Sequence, residues 1–383
     1  MDMLKVCINR PTGGKRHGGH FTHFSFTGLP GVEIAALADT NAAAKENFHL
    51  TGAKKLYTSY EEMVQCEKPD IVVLCSRLPE EHYTEIKYAL EHKCHVLCEK
   101  PLADDLFHAY ELAELAKKNN CRVQLAHLAR FAPTFAKMKE MISSGAIGRV
   151  LTCYMRGKED TRGGGEDMIV LGTHIFDAAC MIFGLPEMVY SDIRHQDKQI
   201  TANDIIETTE PLGPCGGDEI FAHFRFKGGV NGIFESRRGL VSGFASSRLG
   251  ITVCGTEGTL TIRYTGNRSL RLCRNHPVPV EDNNLYEEVI LPDQDEIPGS
   301  TPIDPDRWGL APGDSAHIYY ANNNRRAAWD LLNAIRENRE PAAGIDSAIH
   351  SLEMIVGVYQ SAINHAQVSL PLENRRHPLS EKN

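Results

Sequence analysis

Asp70-Ile71-Val72-Val73-Leu74-Cys75-Ser76-Arg77-Leu78-Pro79-Glu80-Glu81-His82 reads as a strand that runs into a loop and then a helix. The apolar run Ile71–Ser76 is too short for a helix and lacks polar alternation, which is the pattern of a strand buried on both faces. A helical pattern follows over Glu80–His92 with its charged residues facing outward, and His95–Cys98 is again a short apolar run. Working outward, Leu4–Ile8, Val32–Ala38 and Val123–Ala126 read as buried strands, and Asn41–Leu50 and Asp104–Asn119 as helices. Strands alternating with helices in this way form a parallel sheet with right-handed crossovers.

The pattern changes after about Arg149. Val150–Met155, Glu219–Phe226, Val230–Glu235, Gly250–Cys254, Thr259–Arg263 and Leu270–Cys273 are strand-like, with Gly-containing turns at Lys227-Gly228-Gly229 and Thr256-Glu257-Gly258. Few helices intervene, so this half predicts a mostly antiparallel sheet. Helices are expected at Asn323–Asn338 and Ser347–His365, and Glu281–Ala316, rich in Pro, Asp and Gly, as a long loop. A chain of 383 residues exceeds the size at which a single core keeps growing. Two domains are therefore expected, 1–127 and 128–383, with the closing helices partly packing back on the first.

The net charge of −9 gives no general attraction to nucleic acid or an anionic membrane, so a small-molecule partner is expected. Neither a signal peptide nor a run long enough to span a bilayer is read in the sequence, and a cytoplasmic location is expected. The eleven cysteines are an odd number, and Cys7, Cys75, Cys98 and Cys254 lie inside apolar runs, so they are expected to be reduced and mostly buried.

A parallel sheet of this kind binds a dinucleotide at the carboxyl ends of its strands, where a glycine-rich turn and a helix N-terminus meet the pyrophosphate. Here the turn after the first strand is Asn9-Arg10-Pro11-Thr12-Gly13-Gly14-Lys15-Arg16-His17-Gly18-Gly19-His20, which matches neither G-x-G-x-x-G nor the P-loop. Its glycines, with Thr12, Lys15 and Arg16, still suit a phosphate. Asp39, followed by Thr40, ends the second strand where an acid accepts ribose hydroxyls, which favours NAD over NADP. The same residues also fit a plain turn, with Asp39 capping the next helix. His17, His20 and His23 have metal-like spacing, yet no carboxylate or cysteine completes a ligand set, so no metal is expected. The fold class is thus an α/β Rossmann dinucleotide-binding domain plus an α+β domain with a large, mostly antiparallel open sheet.

Three features together resemble the Gfo/Idh/MocA family of glucose–fructose oxidoreductase, inositol dehydrogenase and the rhizopine-catabolism protein. They are the opening stretch Asp70–His82, the segment His95-Val96-Leu97-Cys98-Glu99-Lys100-Pro101-Leu102 with its E-K-P tripeptide, and Arg130-Phe131-Ala132-Pro133 followed by Gly145-Ala146-Ile147-Gly148. The resemblance implies an NAD(P)-dependent enzyme acting on a sugar, glycoside or polyol. It places Ser76, Arg77, Pro79, His82, Glu99 and Lys100 at the cofactor, with Lys100 also in the proton relay. A lysine beside a cationic nicotinamide has its pKa lowered, which suits it to take the proton of an alcohol as hydride leaves carbon. A homodimer or homotetramer is likewise implied.

The family's helix carries D-x-x-x-H. In Gly163-Gly164-Gly165-Glu166-Asp167-Met168-Ile169-Val170-Leu171-Gly172-Thr173-His174-Ile175-Phe176-Asp177, His174 and Asp177 match H-x-x-D, but Val170 stands where the aspartate is expected. The spacing from the glycines to His174 is one residue longer than in the family, so the local backbone is expected to differ. Glu166 or Asp167 is then a candidate for the missing carboxylate, with His174 alone as the alternative. Arg156, Lys158 and Arg162 form a polar cluster suited to a sugar carboxylate, phosphate or hydroxyls, or else a solvated loop; Arg237, Arg238 and Trp308 are weaker pocket candidates. Beside a dehydrogenase, two other functions fit: a glycosidase or lyase that retains NAD and oxidises a ring carbon transiently, and a non-catalytic dinucleotide or sugar sensor.

Overall fold

The computed structural model describes residues 3–13, 20–41, 45–210, 212–242, 248–264, 268–276, 283–292, 296–304 and 315–379. The chain divides into two compact units, one of Met1–Asp104, His108–Phe131 and Asp295–Ala348 and the other of Asp105–Phe107, Ala132–Gln294 and Ile349–Asn383. The division thus falls at Phe131/Ala132 rather than 127/128. Phe131 packs on the core of the first unit, which keeps the turn Leu128–Phe131 with that unit.

The first unit is built on β1 (Leu4–Asn9), β2 (Val32–Ala38), β3 (Lys55–Tyr57), β4 (Ile71–Leu74), β5 (His95–Cys98) and β6 (Val123–Leu125). All pairings are parallel and the order is β3-β2-β1-β4-β5-β6, the Rossmann arrangement. The helices are α1 (Lys45–Thr51), α2 (Tyr60–Glu67), α3 (Pro79–Glu91) and α4 (Leu106–Asn119), whose first residues belong to the other unit. The eight-residue α2 goes beyond the elements expected from sequence; Ser59 caps it by accepting the Glu62 N–H at 3.2 Å.

Far along the chain, α8 (Ser315–Glu337) returns to this unit, and Ala327, Ala328, Leu331 and Leu332 complete the core against Val6, Ile8 and Leu37. The helix starts well before the expected Asn323. Its first turns have no continuous apolar stripe, and Ile318 and Ala321 find their cover in Phe21 and Phe24 instead. Tertiary packing extends the helix there.

The second unit contains α5 (Pro133–Ser143) and a ten-stranded sheet. Its strands are β7 (Val150–Arg156), β8 (Met188–His195), β9 (Lys198–Gln199), β10 (Glu219–Arg225), β11 (Asn231–Arg237), β12 (Gly250–Gly255), β13 (Gly258–Arg263), β14 (Leu270–Arg274), β15 (Glu287–Glu288) and β16 (Val368–Ser369). Only the β7–β11 pairing is parallel among them. One face is covered: Phe176 of α7 (Thr173–Phe183) meets Phe224 and Phe234 at ring distances of 5.6 and 4.8 Å, and Ser361 of α9 (Ile345–Asn364) receives the Ser191 N–H at 3.0 Å. On the other face Tyr190 and Phe221 are exposed, the open sheet that the alternation predicts. All eleven cysteines are free thiols, and ten are buried.

At the start of β5, His95 Nδ1 accepts the Arg122 N–H at 2.8 Å, which requires an unprotonated nitrogen. Burial, reinforced by Arg122, pulls this imidazole down to about 4. Below about pH 6.5 the unfolded chain takes up a proton there that the folded chain refuses, so stability declines until the folded group titrates as well. His95→Gln is therefore expected to flatten the fall of Tm with acidification, measured by thermal unfolding across that range beside the parent. A parallel fall in both proteins would remove His95 from the account.

Candidate functional site

In the first unit, β1 pairs with β2 on one side and β4 on the other, so the crossovers diverge there and leave a crevice at the carboxyl ends. Arg10 lies at that edge. Its Nε and Nη1 are buried without a hydrogen-bond partner among the described residues, and burial pulls the guanidinium below its ordinary value against the pull of Cys75 and Asp39. Beside it His23 is buried and held neutral, first by burial and then by the Arg10 charge. Buried donors are almost always satisfied, so the bare Arg10 nitrogens mark a place for an anion.

Asp39 is not an open carboxylate. Oδ1 accepts the backbone N–H groups of Thr12 at 3.1 Å and Asn41 at 2.9 Å, and Oδ2 accepts the Thr12 hydroxyl at 2.8 Å. These bonds use three of roughly four acceptor directions and tie the loop after β1 to the end of β2. Thr40 is exposed, and Gly13 has a φ of 99°, open to glycine and costly for other residues. Gly14, Lys15, Arg16, His17 and Gly18 lie outside the described residues.

The next two strand ends form one connected corner. After β4, the Ser76 hydroxyl donates to Glu81 at 2.5 Å, and Pro79 opens α3 at its first turn, where its missing N–H costs nothing. Arg77 is half-buried between them. After β5, Glu99 is buried and accepts the His20 N–H at 3.1 Å and the Thr22 hydroxyl. Burial works to raise this carboxyl, but the charges of His20 and Lys100 with the Thr22 hydroxyl hold it below its ordinary value. Lys100 is only 5% exposed, and the Lys100–Pro101 peptide is cis. From α8, Asn324 donates to the His20 carbonyl at 2.8 Å, so the returning helix supports the same corner. His82 of α3 is fully buried between the Ser76 and Pro101 carbonyls.

In the second unit a π-helical turn, Met168–Gly172, lies between the short α6 (Gly165–Asp167) and α7. His174 stands at the second position of α7, its ring 5.4 Å from that of Tyr264. Val170 and Asp177 are buried. Glu166 is engaged: Oε1 accepts the N–H groups of Thr209 at 3.0 Å and Glu210 at 3.1 Å, and the Thr209 hydroxyl. Asp167 Oδ2 accepts the Ser236 hydroxyl at 2.6 Å and the Glu159 N–H at 3.0 Å, and burial pushes its carboxyl up. Gly157 packs so closely on this pair that a Cβ there would sit 2.1 Å from Asp167 Oδ2.

The cluster of Arg156, Lys158 and Arg162 is an ion-pair network rather than an open cationic pocket. Arg156 pairs with Glu159 at 2.9 Å and with Glu235, Lys158 with Asp160 at 2.9 Å, and Arg162 with Asp160 at 3.0 Å and Glu210 at 2.8 Å. Burial opposes the charge on Asp160, but Arg162 and Lys158 hold its carboxyl well below the ordinary range. Arg237 pairs with Glu219 at 2.7 Å, and Trp308 lies outside the described residues. His20, Thr22, Asn324, Glu210, Glu235 and Tyr264 are absent from the sequence-based candidates or appear there with other chemistry. In the sequence, His20 stands out only as the end of the glycine-rich turn and in its metal-like spacing with His17 and His23. Among the described residues no three His, Cys, Asp or Glu side chains converge as a metal site.

A Rossmann crevice lined by a buried cation and an E-K-P corner defines a dinucleotide-binding oxidoreductase scaffold. Residues 12–127 match the family model described as "Oxidoreductase family, NAD-binding Rossmann fold", and residues 135–261 match the "GFO/IDH/MocA C-terminal domain". The chain belongs to the Gfo/Idh/MocA family. It is similar to D-glucoside 3-dehydrogenase of Escherichia coli, 28% identical over 40% of this chain and 48% of that protein. It is also similar to 1,5-anhydro-D-fructose reductase of Ensifer adhaerens, 27% identical over 74% of this chain and 87% of that protein. The first of the curated relatives are matched over 41 to 61% of their length. In fold it resembles levoglucosan dehydrogenase solved with NADH and levoglucosan, with a TM-score of 0.72, 19% identity, and coverage of 97% of this chain and 100% of that one.

If Glu166 serves the fold, Glu166→Ala is expected to lower stability by about 1.5–3 kcal/mol, the scale of losing hydrogen bonds to a charged group. Thermal unfolding measures this directly. A variant with unchanged Tm that had lost turnover would instead make Glu166 the missing catalytic carboxylate.

Proposed function

We propose that this protein is an NAD-dependent oxidoreductase that moves hydride between the nicotinamide and a secondary alcohol of a sugar, glycoside or polyol. The observation that carries the reading is the corner after β5, where Lys100 is almost wholly buried beside the anchored Glu99 at the carboxyl edge of a Rossmann sheet. The residues fit a dinucleotide: the bare donors of Arg10 suit its pyrophosphate, and Asp39 keeps one acceptor direction for a ribose hydroxyl. When bound, the dinucleotide supplies the hydride acceptor or donor.

The chain's own residues then handle position and protons. Lys100 takes the proton of the reacting hydroxyl in oxidation and returns it in reduction, with the Glu99 charge fixing its place. His174 joins the proton transfer as a base, and Asp177, one turn further along α7, keeps the ring's orientation. The π turn supports a departure from the D-x-x-x-H arrangement, with Val170 buried where the acid is expected. The eleven free thiols fit a reducing, cytoplasmic setting, and the open face of the second sheet fits a homodimer or homotetramer. Among the described residues no helix is long and apolar enough to cross a membrane.

The first test combines mass analysis of nucleotide released on denaturation with NADH absorbance over a panel of sugars, glycosides and polyols. Net NADH on a member of the panel supports the dehydrogenase. Retained NAD with product release but no net NADH would replace it with transient oxidation and elimination, and binding without turnover would replace it with a sensor.

Two variants sharpen the assignment. Lys100→Met is expected to cut kcat by roughly a hundredfold to ten-thousandfold while NAD affinity by calorimetry stays near the parent's. Arg10→Met is expected to weaken NAD binding by about tenfold to a hundredfold. It should also raise the Tm of the ligand-free protein, because a buried charge without partners is removed. Unchanged NAD affinity in Arg10→Met would take Arg10 out of the cofactor site.

A further inference from the structure

We propose that Asn324 is a cofactor-binding residue whose side-chain oxygen accepts a hydrogen bond from the nicotinamide carboxamide. This rests on the dehydrogenase reading above for the identity of the ligand. Asn324 lies on the stripe of α8 that faces the first unit: Ala321 is three residues before it and Ala328 four after, and both are buried in apolar clusters. An apolar side chain would suit that position, yet it holds an amide that is only 1% exposed. A polar residue in a core stripe costs free energy unless its atoms are paired, and proteins keep such residues chiefly at functional sites.

The amide is oriented by the bond it makes. The His20 carbonyl oxygen, 2.8 Å away, only accepts, so the Asn324 nitrogen must face it and Oδ1 is the atom left over. Oδ1 is buried without a hydrogen-bond partner among the described residues. Gln124 Oε1 and Asn323 Nδ2 are bare as well, so placement rather than bareness selects Asn324. Gln124 stands on the edge strand β6 with its nitrogen on the Ala327 carbonyl, and Asn323 takes the Arg326 guanidinium at 3.2 Å. His20, by contrast, donates its own N–H to Glu99 at 3.1 Å, and Glu99 precedes Lys100. The Asn324 amide is thus joined through a single residue to the corner that handles the proton. Tyr320, one turn earlier on α8, meets the His20 ring at 5.7 Å and packs on the same corner. A bare acceptor calls for a donor, which selects the part of the ligand. The pyrophosphate has none at neutral pH and falls to Arg10, while Asp39 at the end of β2 serves a ribose. The reading above puts the nicotinamide beside Lys100, and its carboxamide carries an NH2 group. A bond from that group to Asn324 sets how the ring is turned toward the alcohol.

The test compares, by calorimetry on the full chain, the binding of NAD with that of its acetylpyridine analogue, in which a methyl group replaces the carboxamide NH2. The parent is expected to bind NAD about tenfold to a hundredfold more tightly, because the analogue leaves a buried acceptor unpaired. In Asn324→Leu and Asn324→Ala, with folding checked by thermal unfolding, that ratio is expected to fall to near one, chiefly through loss of NAD affinity. A merely structural role would weaken both dinucleotides alike and leave the ratio where it was. A ratio near one in the parent, or a parental ratio that survives in a folded variant, would refute the assignment of Asn324 and leave the dehydrogenase reading standing. A parent that binds neither dinucleotide would overturn both.

Discussion

The pairing of β1 with β2 on one flank and β4 on the other is the constraint on which the first unit depends. Parallel pairing forces each connection to cross back over a face of the sheet, and right-handed crossovers on either side of β1 send the helices to opposite faces. The carboxyl ends between them are left uncovered. Arg10, Asp39, Ser76 and Lys100 reach one edge because each follows a strand of that sheet, and their separation in sequence does not matter. The closing helix α8 completes the core beneath that edge and sends Asn324 to support it.

The buried charges of this protein are largely engaged inside the fold. Asp39 grips Thr12 and Asn41, Glu99 grips His20 and Thr22, and Glu166 grips Thr209 and Glu210. Buried carboxylates need such donors, since an unpaired one would neutralise or destabilise the fold. The same need closes Arg156, Lys158 and Arg162 onto Glu159 and Asp160 of their own loop and onto Glu210 and Glu235 from farther along the chain. Arg10 leaves two buried guanidinium nitrogens, Nε and Nη1, without a partner among the described residues, where Arg156 and Arg325 each leave one. Two such donors at the carboxyl edge of the first sheet mark its neighbourhood as a place for an external anion.

The π turn at Met168–Gly172 holds one residue more than an α-helical turn would between α6 and α7. An added residue in an α-helix would rotate everything after it by about 100°. Widening a single turn absorbs the residue locally and lets α7 keep Phe176 against Phe224 and Phe234, with His174 beside Tyr264.

The sequence by itself determined the strand–helix alternation, because short runs such as Ile71–Ser76 and the outward charges of Glu80–His92 are local properties of neighbouring residues. It also determined the change to an antiparallel sheet after Arg149, and the E-K-P tripeptide was legible as a motif. Elements with little local signal, such as α2 and the first turns of α8, took shape only through caps and packing partners. Tertiary structure alone decided which polar residues are open and which are spent. Whether Asp39, Glu166 or Arg162 meets a ligand depends on donors and acids far away in sequence, such as Thr12, Thr209 and Glu210. The physical reason is that hydrophobic periodicity is written within a few residues, whereas the pairing of buried polar groups is settled by whatever the fold brings within hydrogen-bonding reach.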